Sequence, residues 1–336
     1  MAFSSLIGNE RIKRLLQRAV AEDRIGQSLL MAGPRGVGKY QFAIALAQAL
    51  NCEQVKQGVP CGSCLACLRV ERGEHADVRT ILRESKDPSF KKEPKSQFVK
   101  IDQIRVMCEQ AQFRPYEGRR RVFIIDDDEW LRHEAANSLL KTLEEPPSTS
   151  LVILVTSKPY VLLETVRSRC QMLNFAPLSA SEIEEHLLMK KMPADEARLR
   201  ARLSRGSVGH ALEIDLNGYR ETRDKMLDLV ETMGVTREIA KLLSASEYLG
   251  RKIEKDEFEV HIDVLLVLLD DLFHLKLNAL EASLTNADIA ERLKRVSEKI
   301  TFDQINGWVE RIEEIFRAMP RNVNRQLAMD AMLITA

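Results

Sequence analysis

Aromatic side chains are scarce in this sequence, at 5% of 336 residues. That argues against a module whose main device is stacking nucleic-acid bases on aromatic rings. An excess of charge of one sign is missing too, since 50 Lys and Arg balance 50 Asp and Glu. Whole-chain charge therefore predicts no strong, sequence-independent grip on DNA. No apolar run approaches the length of a bilayer span; Val264–Leu269 is short and stops at Asp270-Asp271. The first residues, Met1-Ala2-Phe3-Ser4-Ser5, lack the basic-then-apolar layout of a secretion signal. A cytoplasmic protein with no membrane contact is expected. What remains is an ordinary soluble composition, 45% apolar and 30% charged, in a chain long enough for two or three domains.

The first half alternates short apolar runs with helix-period segments. Strands are expected at Ser28–Ala32, Val78–Ile81, Arg121–Ile125 and Leu151–Thr156, and near Gln171–Phe175. Helices are expected over Asn9–Glu22, Tyr40–Leu50, Ile101–Gln112 and Ala135–Leu143. This alternation predicts a parallel sheet covered on both faces. Ala176-Pro177-Leu178-Ser179 breaks the pattern, and Ser179 or Ser181 can cap the helix that follows, with Glu182 and Glu184 in its first turn. Beyond it only helical periodicity recurs, with Asn217-Gly218 as the turn signal that divides this half. The charged stretch Glu84–Lys95 reads as a solvated loop. The strip Arg119-Arg120-Arg121 could touch phosphate, but a solvated loop before a strand is the better reading of those three alone.

Ser28–Ala32 runs into Gly33-Pro34-Arg35-Gly36-Val37-Gly38-Lys39-Tyr40, and a helical segment follows. A strand, a glycine-rich turn and a helix N-terminus together cradle phosphate, because free backbone N–H groups and the helix dipole point at the anion. Gly33, Gly36 and Gly38 suit the turn, and Lys39 would reach the outer phosphates. The next position should carry Ser or Thr to meet Mg²⁺, but here it is Tyr40. A phenol oxygen sits too far from the backbone to take that place, so binding of ATP or ADP is doubtful and hydrolysis more so. Arg121–Ile125 ends in Asp126-Asp127-Asp128-Glu129. In P-loop proteins the first acid of such a strand holds Mg²⁺. Asp126 fits that role, while Asp127 stands one methylene short of the Glu that would polarise water.

Ala135-Ala136-Asn137-Ser138-Leu139-Leu140-Lys141-Thr142-Leu143-Glu144-Glu145-Pro146-Pro147 closely resembles the helix and turn of AAA+ subunits of bacterial clamp loaders. Ser168-Arg169-Cys170 resembles that family's SRC motif, in which the Arg reaches into a neighbour's ATP site. Thr156 or Ser157 falls where the family's first sensor residue lies. The resemblance covers most of residues 3–215 and resumes at Asn322–Ala328. It implies an α/β P-loop AAA+ domain with a parallel sheet over residues 1–177, a small helical lid over 178–216, and an all-α C-terminal collar over 217–336. It also implies membership of the DNA polymerase III holoenzyme, a DNA-directed DNA polymerase. The implied partners are motor and other subunits in a hetero-oligomeric ring, the sliding clamp, and primer-template DNA reached through the complex.

The departures from the family pattern choose a subunit type. Motor subunits carry Thr or Ser after the loop Lys, Glu after the strand Asp, and Arg in a lid segment resembling Gly206-Ser207-Val208-Gly209. This chain has Tyr40, Asp127 and Gly209 at those places. Retention of Arg169 beside those losses resembles a subunit that completes a neighbour's site in trans without turning over its own.

Four of the six cysteines fall within Cys52–Cys67, as Cys52 followed by Cys61-Gly62-Ser63-Cys64-Leu65-Ala66-Cys67. The short spacings let Cys52, Cys61, Cys64 and Cys67 converge on one tetrahedral Zn²⁺ with no coordination position left for substrate. Structural zinc is favoured over a redox pair or buried thiols. Cys108 is expected in the core, and Cys170 beside Arg169.

Rival functions are an active motor subunit of the same loader, a P-loop small-molecule kinase, and a DNA-binding protein using the cysteine array. The three substitutions count against the first, and the family motifs against the second. The third lacks a basic recognition helix after Cys67.

Overall fold

The computed structural model describes residues 3, 6–82, 101–126, 133–278, 280, 283–319 and 324–334. Asp127, the expected loop over Glu84–Lys95, and Asn322-Val323 lie outside them. The chain forms two compact units, Met1–Glu213 and Ile214–Ala336.

In the first unit the elements run α1 (Glu10–Ala21), β1 (Ser28–Ala32), α2 (Lys39–Asn51), α3 (Leu65–Arg72), β2 (Val78–Ile81), α4 (Ile101–Ala111), β3 (Arg121–Asp126), α5 (His133–Glu144), β4 (Ser150–Thr156), α6 (Glu164–Arg167) and β5 (Gln171–Asn174). The five strands make one parallel sheet in the order β2-β3-β4-β1-β5. Its inner strands are apolar at nearly every position because both faces are covered. Successive side chains leave on opposite faces. Leu29, Met31, Val122, Ile124, Leu151, Ile153 and Val155 join a core that also contains residues of α1 and α2. Leu30, Phe123, Ile125, Val152 and Leu154 join another, with Ile104 and Met107 of α4 and Leu139 and Leu143 of α5. Cys108 and Cys170 pack against this second core.

Two arginines of the basic strip Arg119-Arg120-Arg121 are tied up in ion pairs. Arg120 pairs with Asp23 at 2.9 Å, and Arg121 pairs with Asp77 at 3.3 Å and donates to the Gln110 carbonyl. Among these three, only Arg119 is exposed.

After β5 come three short helices, α7 (Ala180–Met189), α8 (Ala194–Leu203) and α9 (Val208–Glu213). They close on a small core of Leu178, Ile183, Leu187, Ala197, Ala201 and Ala211. Ser179, of the two candidate serines, is the cap: its Oγ accepts from the Glu182 N–H, and a Glu182 carboxylate oxygen accepts from the Ser179 N–H at 2.8 Å. Such a reciprocal box satisfies two of the N–H groups a helix start leaves orphaned.

The second unit is entirely helical among its described residues. It comprises α10 (Leu216–Glu231), α11 (Ile239–Glu247), α12 (Lys255–Lys276), α13 (Ala290–Lys299), α14 (Phe302–Ala318) and α15 (Arg325–Ile334). The long α12 packs against α10, α13 and α14, and α11 against α15. Phe258, Leu265, Leu268 and Leu272 of α12 bury with Leu227, Leu293, Trp308 and Met332. Asn217-Gly218 does not form the expected turn. Both residues lie in the first turn of α10, because Asp215 caps the helix and accepts from the Asn217 N–H at 3.1 Å. No described helix is long and apolar enough to cross a membrane.

Candidate functional site

The turn between β1 and α2 needs positive φ at Gly33, Gly36 and Gly38, which have 154°, 75° and 95°. Gly38 serves as N-cap of α2 in a left-handed conformation. A cleft of about 200 Å³ opens beside this turn, lined by Arg35, Gly36, Gly38, Lys39, Tyr40, Gln41, Asp126, Val155, Thr156 and Ser157. The structure therefore gathers most of the residues expected to hold nucleotide around one opening; Gly33 stands at the root of the turn, where its N–H donates to the Thr156 carbonyl at 3.2 Å. Thr156 is buried, and its hydroxyl accepts from the Lys158 N–H at 3.0 Å.

Three sets of contacts close in on the opening. The Lys39 ammonium donates to the carbonyls of Gly33 and Pro34 at 2.7 and 2.8 Å, which turns it back onto its own loop. The Tyr40 hydroxyl lies 3.3 Å from Thr80 Oγ1 on the edge strand β2, and its ring packs against the core. The start of α9 sits on the turn itself: the Gly209 N–H donates to the Gly36 carbonyl at 3.1 Å. At Gly36 a Cβ would stand 2.1 Å from Ser207 Oγ, so only glycine permits this approach.

Arg169 follows α6, with its side chain about one-third exposed. Its guanidinium donates from Nε to Glu144 Oε1 at 2.8 Å and from Nη1 to the Thr165 carbonyl at 2.8 Å, and its Nη2 also reaches Glu144 Oε1. Sequence reasoning singles out Arg169 and misses this partner, which lies 25 residues away and meets it only through tertiary packing. The neighbouring Arg167 guanidinium lies over the Tyr160 ring, 5.4 Å from its centroid.

The sulfur atoms of Cys52, Cys61, Cys64 and Cys67 all lie within 4.8 Å of one another, and Cys64 and Cys52 are 3.9 Å apart. Tetrahedral thiolates at a metal–sulfur distance near 2.3 Å are separated by about 3.8 Å, so the donor set fits one metal ion. Backbone N–H groups of Gln54 and Cys61 point at Cys52 Sγ, and that of Cys64 at Cys61 Sγ, each at 3.3 Å. The N–H groups of Ser63 and Cys64 draw the Cys61 thiol down to about 6, whereas burial pushes Cys52 and Cys67 up. A tight turn over Lys56–Val59 pins the module to α1, where a Cβ on Gly58 would meet the Gln17 carbonyl oxygen at 1.9 Å.

A larger groove, of about 500 Å³, runs along α1 between Arg11, Arg14, Arg18 and Arg24. It contains none of the residues singled out from the sequence.

Two family models match the chain. The one described as DNA polymerase III, delta subunit, covers residues 8–179, and that described as DNA polymerase III, delta subunit, C terminal, covers residues 234–336. DNA polymerase III subunit delta' of Bacillus subtilis is 28% identical over 96% of this chain and 94% of its own length. Subunit tau of Escherichia coli is 28% identical over 99% of this chain, which spans only 53% of that protein. Subunit tau of B. subtilis is 34% identical over 54% of this chain and 30% of its own length. Among solved structures, a gamma-subunit-related protein of Thermotoga maritima aligns over 97% of each chain at 18% identity and a TM-score of 0.37. With an AAA+ type sheet, a P-loop turn and a family model spanning over half its length, this chain belongs to the DNA polymerase III delta-subunit family.

Proposed function

We propose that this chain is a delta-prime-type subunit of a clamp loader, one that supports loading of the sliding clamp onto primed DNA without hydrolysing ATP itself. Residues 1–177 act as the AAA+ domain, 178–216 as its lid and 217–336 as the collar that meets other loader subunits in a ring. Arg169 serves as an arginine finger in trans, its guanidinium stabilising charge on the phosphoryl group held by a neighbouring motor subunit. Primer-template DNA and the clamp are met through the assembled complex. Cys52, Cys61, Cys64 and Cys67 hold a structural Zn²⁺, which needs no open coordination position.

The observation that carries this reading is the direction of Tyr40. Its hydroxyl is spent beside Thr80, so the helix start offers no oxygen where a magnesium ligand belongs. Lys39 turned onto Gly33 and Pro34, and Gly209 seated on Gly36, support it further. Gly33, Gly36, Gly38, Lys39, Asp126, Asp127 and Thr156 then form a degenerate nucleotide site. Arg169, by contrast, stands at the surface.

The test is ATP turnover by the reconstituted loader, stimulated by clamp and primer-template. With assembly intact, Arg169→Ala is expected to cost on the order of 10³-fold. Turnover at the wild-type rate would remove Arg169 from catalysis. Magnesium-dependent ATPase by the isolated chain would establish the rival reading, an active motor subunit.

A further inference from the structure

We infer that Glu144 is the positioning residue of the finger, holding Arg169 in the orientation that a neighbour's phosphate meets. The inference rests on Arg169 acting in trans.

The sequence sets Glu144 in place by stopping α5 there. Glu145 precedes Pro146, and the proline ring drives the residue before it out of the helical region. Glu144 is therefore the last residue of α5. A carboxylate at that end faces the negative pole of the helix dipole, a locally poor choice that a neighbouring cation offsets. Arg169 supplies the cation. The separation of the two is not left to flexible surface chains, because α5 and the α6 segment share one core. Leu139 and Leu143 bury with Leu162 and Val166, none more than 6% exposed.

The hydrogen bonds divide the guanidinium. Arginine has five N–H donors in a rigid fork. The Nε and Nη2 donors turned to Glu144 hold one edge, and an Nη1 donor to Thr165 fixes the back. Two donors remain, one on each terminal nitrogen, enough for a bidentate grip on a phosphate. A solvated arginine would otherwise lose much rotamer freedom on docking, and a carboxylate that fixes it beforehand removes that loss. The carboxylate also balances the charge of the finger, so no uncompensated cation is left at the surface.

An exposed ion pair of this kind contributes little to stability. A purely structural role therefore predicts that loss of Glu144 changes neither turnover nor assembly. Positioning predicts a loss of turnover that depends on Arg169.

The experiment is a double-mutant cycle in the reconstituted loader, reading kcat and KM for ATP under clamp and primer-template stimulation. Glu144→Ala is expected to lower kcat about tenfold or more, as a misplaced catalytic group does, with KM little changed. Glu144→Gln should retain most of the rate, because both hydrogen bonds end on a single oxygen that glutamine keeps. Glu144→Ala combined with Arg169→Ala should turn over no more slowly than Arg169→Ala alone. Full turnover by Glu144→Ala, with Arg169→Ala defective, overturns the inference, as does an additive loss in the double variant. Wild-type turnover by Arg169→Ala would instead overturn the parent reading. Should Glu144→Ala fail to assemble, Glu144→Asp keeps the charge and retracts it by one methylene. A loss of kcat in that variant supports positioning; wild-type kcat overturns it.

Discussion

The backbone N–H of Gly209 donates to the carbonyl of Gly36 at 3.1 Å, so the lid segment and the phosphate turn meet through bare main chain. A Cβ on Gly209 would stand 3.3 Å from Gly36 Cα, tighter than ordinary van der Waals contact. Gly209, which the sequence resemblance aligns with a lid arginine of motor subunits, serves here as a seat.

That seat makes nucleotide binding a direct test. A ligand present at 100 times its Kd stabilises a protein by about 2.7 kcal/mol, which is visible in a melting curve. Millimolar Mg-ATP is expected to leave the Tm of the isolated chain unchanged. Gly36→Ala should destabilise the first unit by roughly 1–3 kcal/mol in urea melts, since φ of 75° strains any L side chain. A rise in Tm with Mg-ATP would show that the lid lifts.

The cysteine cluster predicts dependence on metal. Burial disfavours the thiolates of Cys52 and Cys67, so an ion that binds there must displace protons. Chelation at neutral pH is expected to lower Tm by ~5 °C or more, and acid should release the metal. Metal analysis of the reduced protein should find one zinc per chain, and Cys67→Ser should abolish it. Full retention of Tm under chelation would contradict a structural ion.

Asp77 predicts the acid limb of stability. Burial pushes its carboxyl up, but the N–H groups of Tyr116, Gly118 and Glu117 and the Arg121 guanidinium together hold it below the usual carboxylate range. A group with a depressed folded-state value adds stability above its unfolded value, near 3.9, and loses it as pH falls through the folded value. Stability from Asp77 should therefore be flat from pH 5 to 8 and fall below about pH 4. Asp77→Asn should cost roughly 2–3 kcal/mol at pH 7 and flatten the acid limb, which urea melts across that range would show.

Much of the sheet is legible in the sequence because its buried strands are continuous apolar runs between polar segments. Ser28–Ala32 and Val78–Ile81 are strands over those very residues, and β3 and β4 extend one residue beyond the expected runs. The phosphate turn announces itself through Gly33, Gly36 and Gly38. What stays hidden is nonlocal. Asp77 is a lone acid until the chain returns 39 to 41 residues later to offer it three N–H groups. Glu144 is one letter of a motif until α6 brings Arg169 to it. Helix α11 carries a weak sequence signal, because exposed Ile239 and Leu243 blur its apolar stripe and π-helical turns at Thr232–Thr236 and Tyr248–Lys252 flank it. Asn217-Gly218 misleads because a strong local turn signal lies just past a stronger cap, Asp215.

Helix α2 begins at the phosphate turn and ends on the cysteine cluster, with Gly38 before its first residue and Cys52 after its last. Gln48 ties its final turn to the Cys67 carbonyl at 2.9 Å. Thirteen residues make a rod of about 20 Å, clasped at both ends. Such a rod is a strut, and neither of its ends is left free to fray.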